Sequence, residues 1–145
     1  MAQSFTAQID EWVKETRLRA ETVTKVAADK VFAGVTTPVA QGGRMRVDTG
    51  FLRSSFEVTL NVPVDAVRYK PEDVDRFTFD PGEITLSLAG FELGDTIYGV
   101  FTANYARYRE YGANGQPPDA FVRTEVLQWQ DYVNEAVREV RAAGL

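Results

Sequence analysis

Several places in the chain hold side chains able to do chemistry. Asp48-Thr49-Gly50 is the triplet with which aspartic proteases set a carboxylate in a tight turn opposite its twin. No second Asp-Thr-Gly exists here, and Phe51-Leu52-Arg53 follows where the proteases continue with Ser or Ala in an apolar strand. A homodimer supplies the twin in retroviral proteases, but nothing else in the chain resembles them. The better reading is a turn in which Asp48 accepts hydrogen bonds from the amides that follow. Ser54-Ser55 has no base beside it. The sequence contains no His and no Cys, which removes the commonest general base, the commonest proton shuttle, and the imidazole and thiolate metal ligands. Glu72, Asp73 and Asp75 are the carboxylates suited to Ca²⁺, but without EF-hand spacing they read as a solvated loop. Glu110 lies between Arg107 and Arg109 and reads as part of an ion-pair network rather than as an acid catalyst. No GxxxxGK[ST], GxGxxG or GxSxG occurs. The expectation is therefore no catalytic residue, no cofactor and no metal. A carboxylate-dependent hydrolase ranks last among the readings.

What remains is a contact chemistry, concentrated in residues 104–123, NYARYREYGANGQPPDAFVR. Tyr105, Tyr108 and Tyr111 recur at near-helical spacing with Arg107, Arg109 and Glu110 between them, a mixture typical of interfaces. Gly112, Asn114 and Gly115 then signal backbone at positive φ. Pro117-Pro118 makes a rigid elbow, and Asp119 stands where a helix N-cap is expected. The Arg53 region is expected to pack together with this aromatic turn near a subunit boundary, with Phe121 and Arg123 opening the helix beyond it. A second contact candidate is residues 34–52, read as a flexible loop and turn. Its Gly42-Gly43 and its Arg44 and Arg46 read as solvated charges, or as a basic arm that orders on DNA or an acidic partner.

Around these stretches the pattern predicts two helices and a sheet. Phe5, Ile9, Trp12, Thr16, Ala20, Val23, Ala27 and Val31 recur at steps of three and four, giving a helix over 5–33 that Gly34 ends. Its wide apolar stripe packs in the core, or part of it faces another subunit. Alternation predicts a strand over 53–62, another over 82–90, a third over 96–103 that is apolar on both faces, and a short edge strand at Phe77 and Phe79. A turn at Glu92 to Asp95 is expected to join the second and third. A helix is expected over 119–141. The fold class is α+β: one domain over 1–145, with a small antiparallel sheet of three to four strands in 53–103 packed against the long N-terminal and the C-terminal helix.

The formal net charge is −5 over 145 residues. Between Asp65 and Asp95 eight acids face three bases, so that segment alone carries 3 − 8 = −5 and the rest is balanced. An acidic insertion, 64–80, on a neutral body suits a protein partner better than a phosphate backbone. No apolar run approaches the ~20 residues of a membrane span, and the polar start MAQSFTAQIDEW has no signal-peptide core. The lack of cysteine fits a reducing compartment.

Three stretches, in order, resemble the neck and tail-completion proteins of tailed bacteriophages, the head–tail joining family. Val47-Asp48-Thr49-Gly50-Phe51-Leu52-Arg53-Ser54-Ser55 is similar to the family's Val-Asp-Thr-Gly-x-Leu-Arg-x-Ser segment. Tyr105-Ala106-Arg107-Tyr108-Arg109-Glu110-Tyr111-Gly112 is similar to its Tyr-Ala-x-x-x-Glu-aromatic-Gly turn. Pro117-Pro118-Asp119-Ala120-Phe121-Val122-Arg123 is similar to its elbow and the start of its last helix. The likeness covers most of the chain apart from the acidic insertion, which looks longer than usual. It implies a structural virion protein made in the bacterial host cytoplasm and located at the head–tail junction, with no catalytic residues. It also implies a homo-oligomeric, six-fold ring that meets head-closure or connector and tail-tube proteins and makes at most passing contact with DNA. The competing expectation is a soluble adaptor or inhibitor that binds a basic protein through the acidic loop.

Overall fold

The computed structural model describes residues 2–145. Helix α1 runs Phe5–Thr36. Ser4 caps it, its Oγ accepting from Ala7 N at 3.1 Å. The helix does not stop at Gly34 but passes through it. A Cβ at Gly34 would collide with the Glu125 carboxylate, so this glycine serves close approach rather than chain reversal. Termination comes at Thr37 and Pro38, where the backbone is extended.

Only the C-terminal half of α1 enters the core. Ala27, Ala28, Val31 and Val35 are buried, whereas from Phe5 to Ala20 every residue except Ala7 is exposed. At 1.5 Å per residue the unpacked part is an arm of roughly 24 Å.

The sheet has two strands rather than three or four. β1, Phe56–Leu60, pairs antiparallel with β2, Ile97–Phe101, in the register Phe56↔Phe101, Val58↔Gly99, Leu60↔Ile97. The segment expected to begin the first strand instead makes one helical turn, α2, Phe51–Ser54, entered through Gly50 at φ 86°. The expected strand over 82–90 is a helix, α3, Gly82–Leu88, in which Ile84 and Leu88 face inward and Leu86 is exposed. Ile84 and Leu88 also satisfy an i, i+4 pattern, and a seven-residue window cannot separate the two periods. The turn at Glu92 to Asp95 exists, with Asp95 N donating to Glu92 O at 3.0 Å, but it joins α3 to β2. Phe77 and Phe79 form no strand. Phe77 N reaches Thr49 O at 2.9 Å, while just past the end of β2 Ala103 makes an isolated parallel bridge with Arg68.

After β2 come α4, Ala106–Tyr111, then α5, Phe121–Val126, and α6, Trp129–Ala142. The expected single helix over 119–141 is thus broken at Leu127-Gln128. α6 lies antiparallel along the C-terminal half of α1: Glu125 meets Gly34, while Lys30 pairs with Glu135 at 3.5 Å and Glu139 at 2.6 Å.

Two clusters make the core. One joins α1, β1 and α3 through Val31, Val35, Phe56, Ile84 and Leu88. The other gathers Met45, Phe51, Leu52, Ala103 and Phe121. Phe101 packs against both. A run of ring contacts crosses them: Phe32–Phe56 at 5.3 Å, Phe56–Phe101 at 4.7 Å, and Phe101–Phe121 at 5.1 Å, nearly perpendicular.

Candidate functional site

The second cluster is where the sequence candidates meet. Phe51 and Leu52 come from the segment after Asp48, Tyr105 and Ala106 from the aromatic turn, and Phe121 and Val122 from the far side of the elbow. Phe121 is almost fully buried and is the largest side chain at the centre. Tyr105 is half-buried, 6.1 Å centroid to centroid from Phe51, and burial raises its phenol above the ordinary tyrosine range.

Two buried carboxylates lock the turn. Glu110 projects from α4 and accepts from Val122 N at 2.9 Å and Arg123 N at 3.0 Å. These are the amides a helix start leaves unpaired, so Glu110 caps α5 from eleven residues upstream of its first residue. Ala120, the local cap position, has no side-chain oxygen and sits in the left-handed region at φ 51°. Asp119 is therefore not the N-cap. It is buried and paired with Arg46, whose Nε binds its carboxylate while Nη2 donates to Pro117 O at 2.9 Å and Nη1 to Gln116 Oε1 at 3.3 Å. Gly112 makes the sharp exit from α4 at φ 82°, ψ 151°, which suits only glycine. A Cβ there would stand 2.8 Å from Gln116 O.

Arg46 is thus a clamp between the 37–47 segment and the elbow, not half of a free basic arm. That segment is also pinned by Met45, fully buried, and by Val39 N donating to Met45 O at 2.9 Å. Arg44 alone keeps the exposed position expected of it. The Arg53 region packs against the aromatic turn through Phe51 and Leu52, which meet Tyr105 and Ala106. The Arg53 side chain itself bonds elsewhere: its Nε donates to Thr36 O at 2.7 Å, satisfying the C-terminal end of α1, and its guanidinium covers the Phe79 ring at 4.9 Å. At the Asp48 turn the side-chain acceptor for Phe51 N is Thr49 Oγ1, at 3.3 Å, not Asp48.

The outer face of the turn is what the lock presents. Tyr108 and Tyr111 are 62 % and 61 % exposed. The Arg123 guanidinium stands 5.3 Å from the Tyr111 ring centroid and that of Arg107 stands 6.0 Å away, so two cations lie near the Tyr111 ring. Arg109 is partly buried, and its carbonyl accepts from Asp119 N at 2.8 Å. Large rigid aromatics flanked by arginine are the side chains that dominate binding energy at protein interfaces. The Ser54 and Ser55 hydroxyls donate to Phe51 O and Leu52 O, at 2.8 and 2.7 Å.

The Arg46–Asp119 clamp and the remote cap by Glu110 were not anticipated. Only a weak signal existed for the cap: no Ser, Thr, Asp or Asn stands immediately before Phe121. Among the described residues no cluster of acidic side chains is arranged to hold a metal, and no helix is long and apolar enough to cross a membrane. No family model, no curated protein and no solved structure matches the chain.

Proposed function

We propose that this chain is a structural component of a tailed-phage or phage-like particle, a ring-forming neck or tail-completion subunit at the head–tail junction. The observation that carries the reading is the convergence of the three family-like stretches. The first lies about fifty residues before the other two, which are close neighbours in sequence, yet Phe51 and Leu52, Tyr105, and Phe121 close one core cluster. Residues of those stretches that turn inward build the joint, and Tyr108 and Tyr111 turn outward from it. A joint of this kind holds an aromatic surface rigid before contact, which lowers the ordering cost of docking.

The test is particle assembly with Tyr108 and Arg109 both replaced by alanine. Tyr108 is exposed, and the bond from Asp119 N is taken by the main-chain carbonyl of Arg109 and not by its side chain, so the variant is expected to keep its fold by circular dichroism. Incorporation into particles, or ring-sized mass in solution, falls at least tenfold. Unchanged assembly removes the aromatic turn from the interface. A strict monomer that binds one basic protein through the 64–80 segment favours the adaptor reading instead. That segment is coil in which Val67 and Tyr69 are uncovered among the acids, while Phe77 and Phe79 near its end pack against the core.

A further inference from the structure

The face of α1 that α6 covers does not end where α6 ends. On a helical projection Phe5, Ile9, Trp12 and Thr16 continue the line of Val23, Ala27 and Val31. The second group is packed and the first is bare: Phe5 is 78 % and Trp12 61 % exposed, with Ile9 and Val13 also uncovered. α6 reaches only to Ala142, so three turns of a core-type stripe run on without a cover.

The same molecule carries a second bare apolar group at its other end. The break between α5 and α6 thrusts out Val126, Leu127 and Trp129, with Leu127 85 % exposed. Glu125, just before them, abuts Gly34, so this knob sits beside the C-terminal end of α1. From Trp12 to Gly34 the helix spans roughly 33 Å. The arm therefore cannot reach the knob of its own chain, and any contact between them joins two copies.

We infer that the α1 arm of one copy docks on the α5–α6 knob of the next, resting on the ring reading above and naming its contact. Such a contact pairs two different surfaces and repeats head to tail, the geometry that closes rings. The arm and knob together expose on the order of 800 Å² of apolar side chain, enough with a polar rim for an interface of standard size. Two other occupants fit less well. The arm's charges balance, with Asp10, Glu11 and Glu15 against Lys14, Arg17 and Arg19, which gives anionic lipid no basic face to attract. A coiled coil of two arms needs three or more heptads, and the bare part of the stripe, Phe5 to Thr16, spans fewer than two.

The absence of cysteine makes the test direct. One preparation carries Gln8→Cys, a second Gln128→Cys, both at exposed positions beside the two patches. Mixed and oxidised, they are expected to yield the mixed disulfide dimer in excess over either homodimer. Trp12→Ala and Leu127→Ala are each expected to weaken self-association about thirtyfold by sedimentation, with unchanged circular dichroism. A Gln8→Cys homodimer alone identifies arm–arm pairing and overturns the inference. So does a ring that forms with no cross-link, which leaves the ring reading standing. A chain that stays monomeric at every concentration, forms no cross-link and is absent from particles overturns both.

Discussion

Glu110 shows how much one side chain decides here. It is buried, and its carboxylate takes two amides of α5 at 2.9 and 3.0 Å. Glu110→Ala leaves both donors without partners and removes the side-chain link between α4 and α5, while the main-chain bonds from Asp119 N and Ala120 N to α4 remain. The expected cost is about 2–3 kcal/mol in urea unfolding, against a change within about 0.5 kcal/mol for the exposed Tyr108→Ala. Glu110→Gln keeps one acceptor and falls between. A loss for Glu110→Ala no larger than for Tyr108→Ala sinks the capping role. At this scale residue type was readable and partnership was not. Asp119 has the right chemistry for a cap and is one position too early; its partner, Arg46, lies 73 residues away. Nothing local in a sequence encodes a contact at that separation.

Between elements, the packing of α5 and α6 on α1 includes two polar contacts, Tyr132 to Glu125 and Lys30 to Glu135 and Glu139, and these give it an alkaline limit. Tyr132 donates its hydroxyl to Glu125, and burial, reinforced by that carboxylate, pushes its phenol from 10.0 up to about 12. The Lys30 amine is raised above 10.5, chiefly by its hydrogen bond to Glu139. Both groups hold their protons more tightly folded than unfolded. Their contribution is therefore complete below about pH 10 and is lost as pH rises toward about 12. The thermal unfolding midpoint is expected to fall across that window, with a shallower fall in Tyr132→Phe, and tyrosinate absorbance is expected to lose one late-titrating phenol in that variant while the raised phenol of Tyr105 stays in both. A wild-type midpoint flat from pH 9 to 12 contradicts it. The two terminal helices were legible because α1 and α6 are long enough for a 3.6-residue period to declare itself. α3 was not, because Ile84, Leu86 and Leu88 satisfy a two-residue period as well as Ile84 and Leu88 satisfy a four-residue step. The break at Leu127-Gln128 carries no glycine or proline, so nothing in the sequence marked it.

For the molecule as a whole, stability and contact surface are divided along one helix. The C-terminal half of α1 is packed against α3, α5 and α6, while residues 5–20 are exposed apart from Ala7. An isolated helical segment of this length is marginal in water, and local opening free energies follow burial. Amides 9–20 of the free chain are therefore expected to exchange with deuterium within seconds, and those of 27–35 only with global unfolding. Deleting residues 2–18 should move the urea midpoint of the body by less than the scatter of replicate measurements, because no core contact is lost. Assembly turns this gradient into a readout. If the arm is the part that meets a neighbour, its amides gain protection in the particle while those of 27–35 change little. Equal protection along α1 in the free chain means that the arm is already covered by its own body. Unchanged fast exchange after assembly means that the contact between subunits lies elsewhere, on the Tyr108 and Tyr111 face alone.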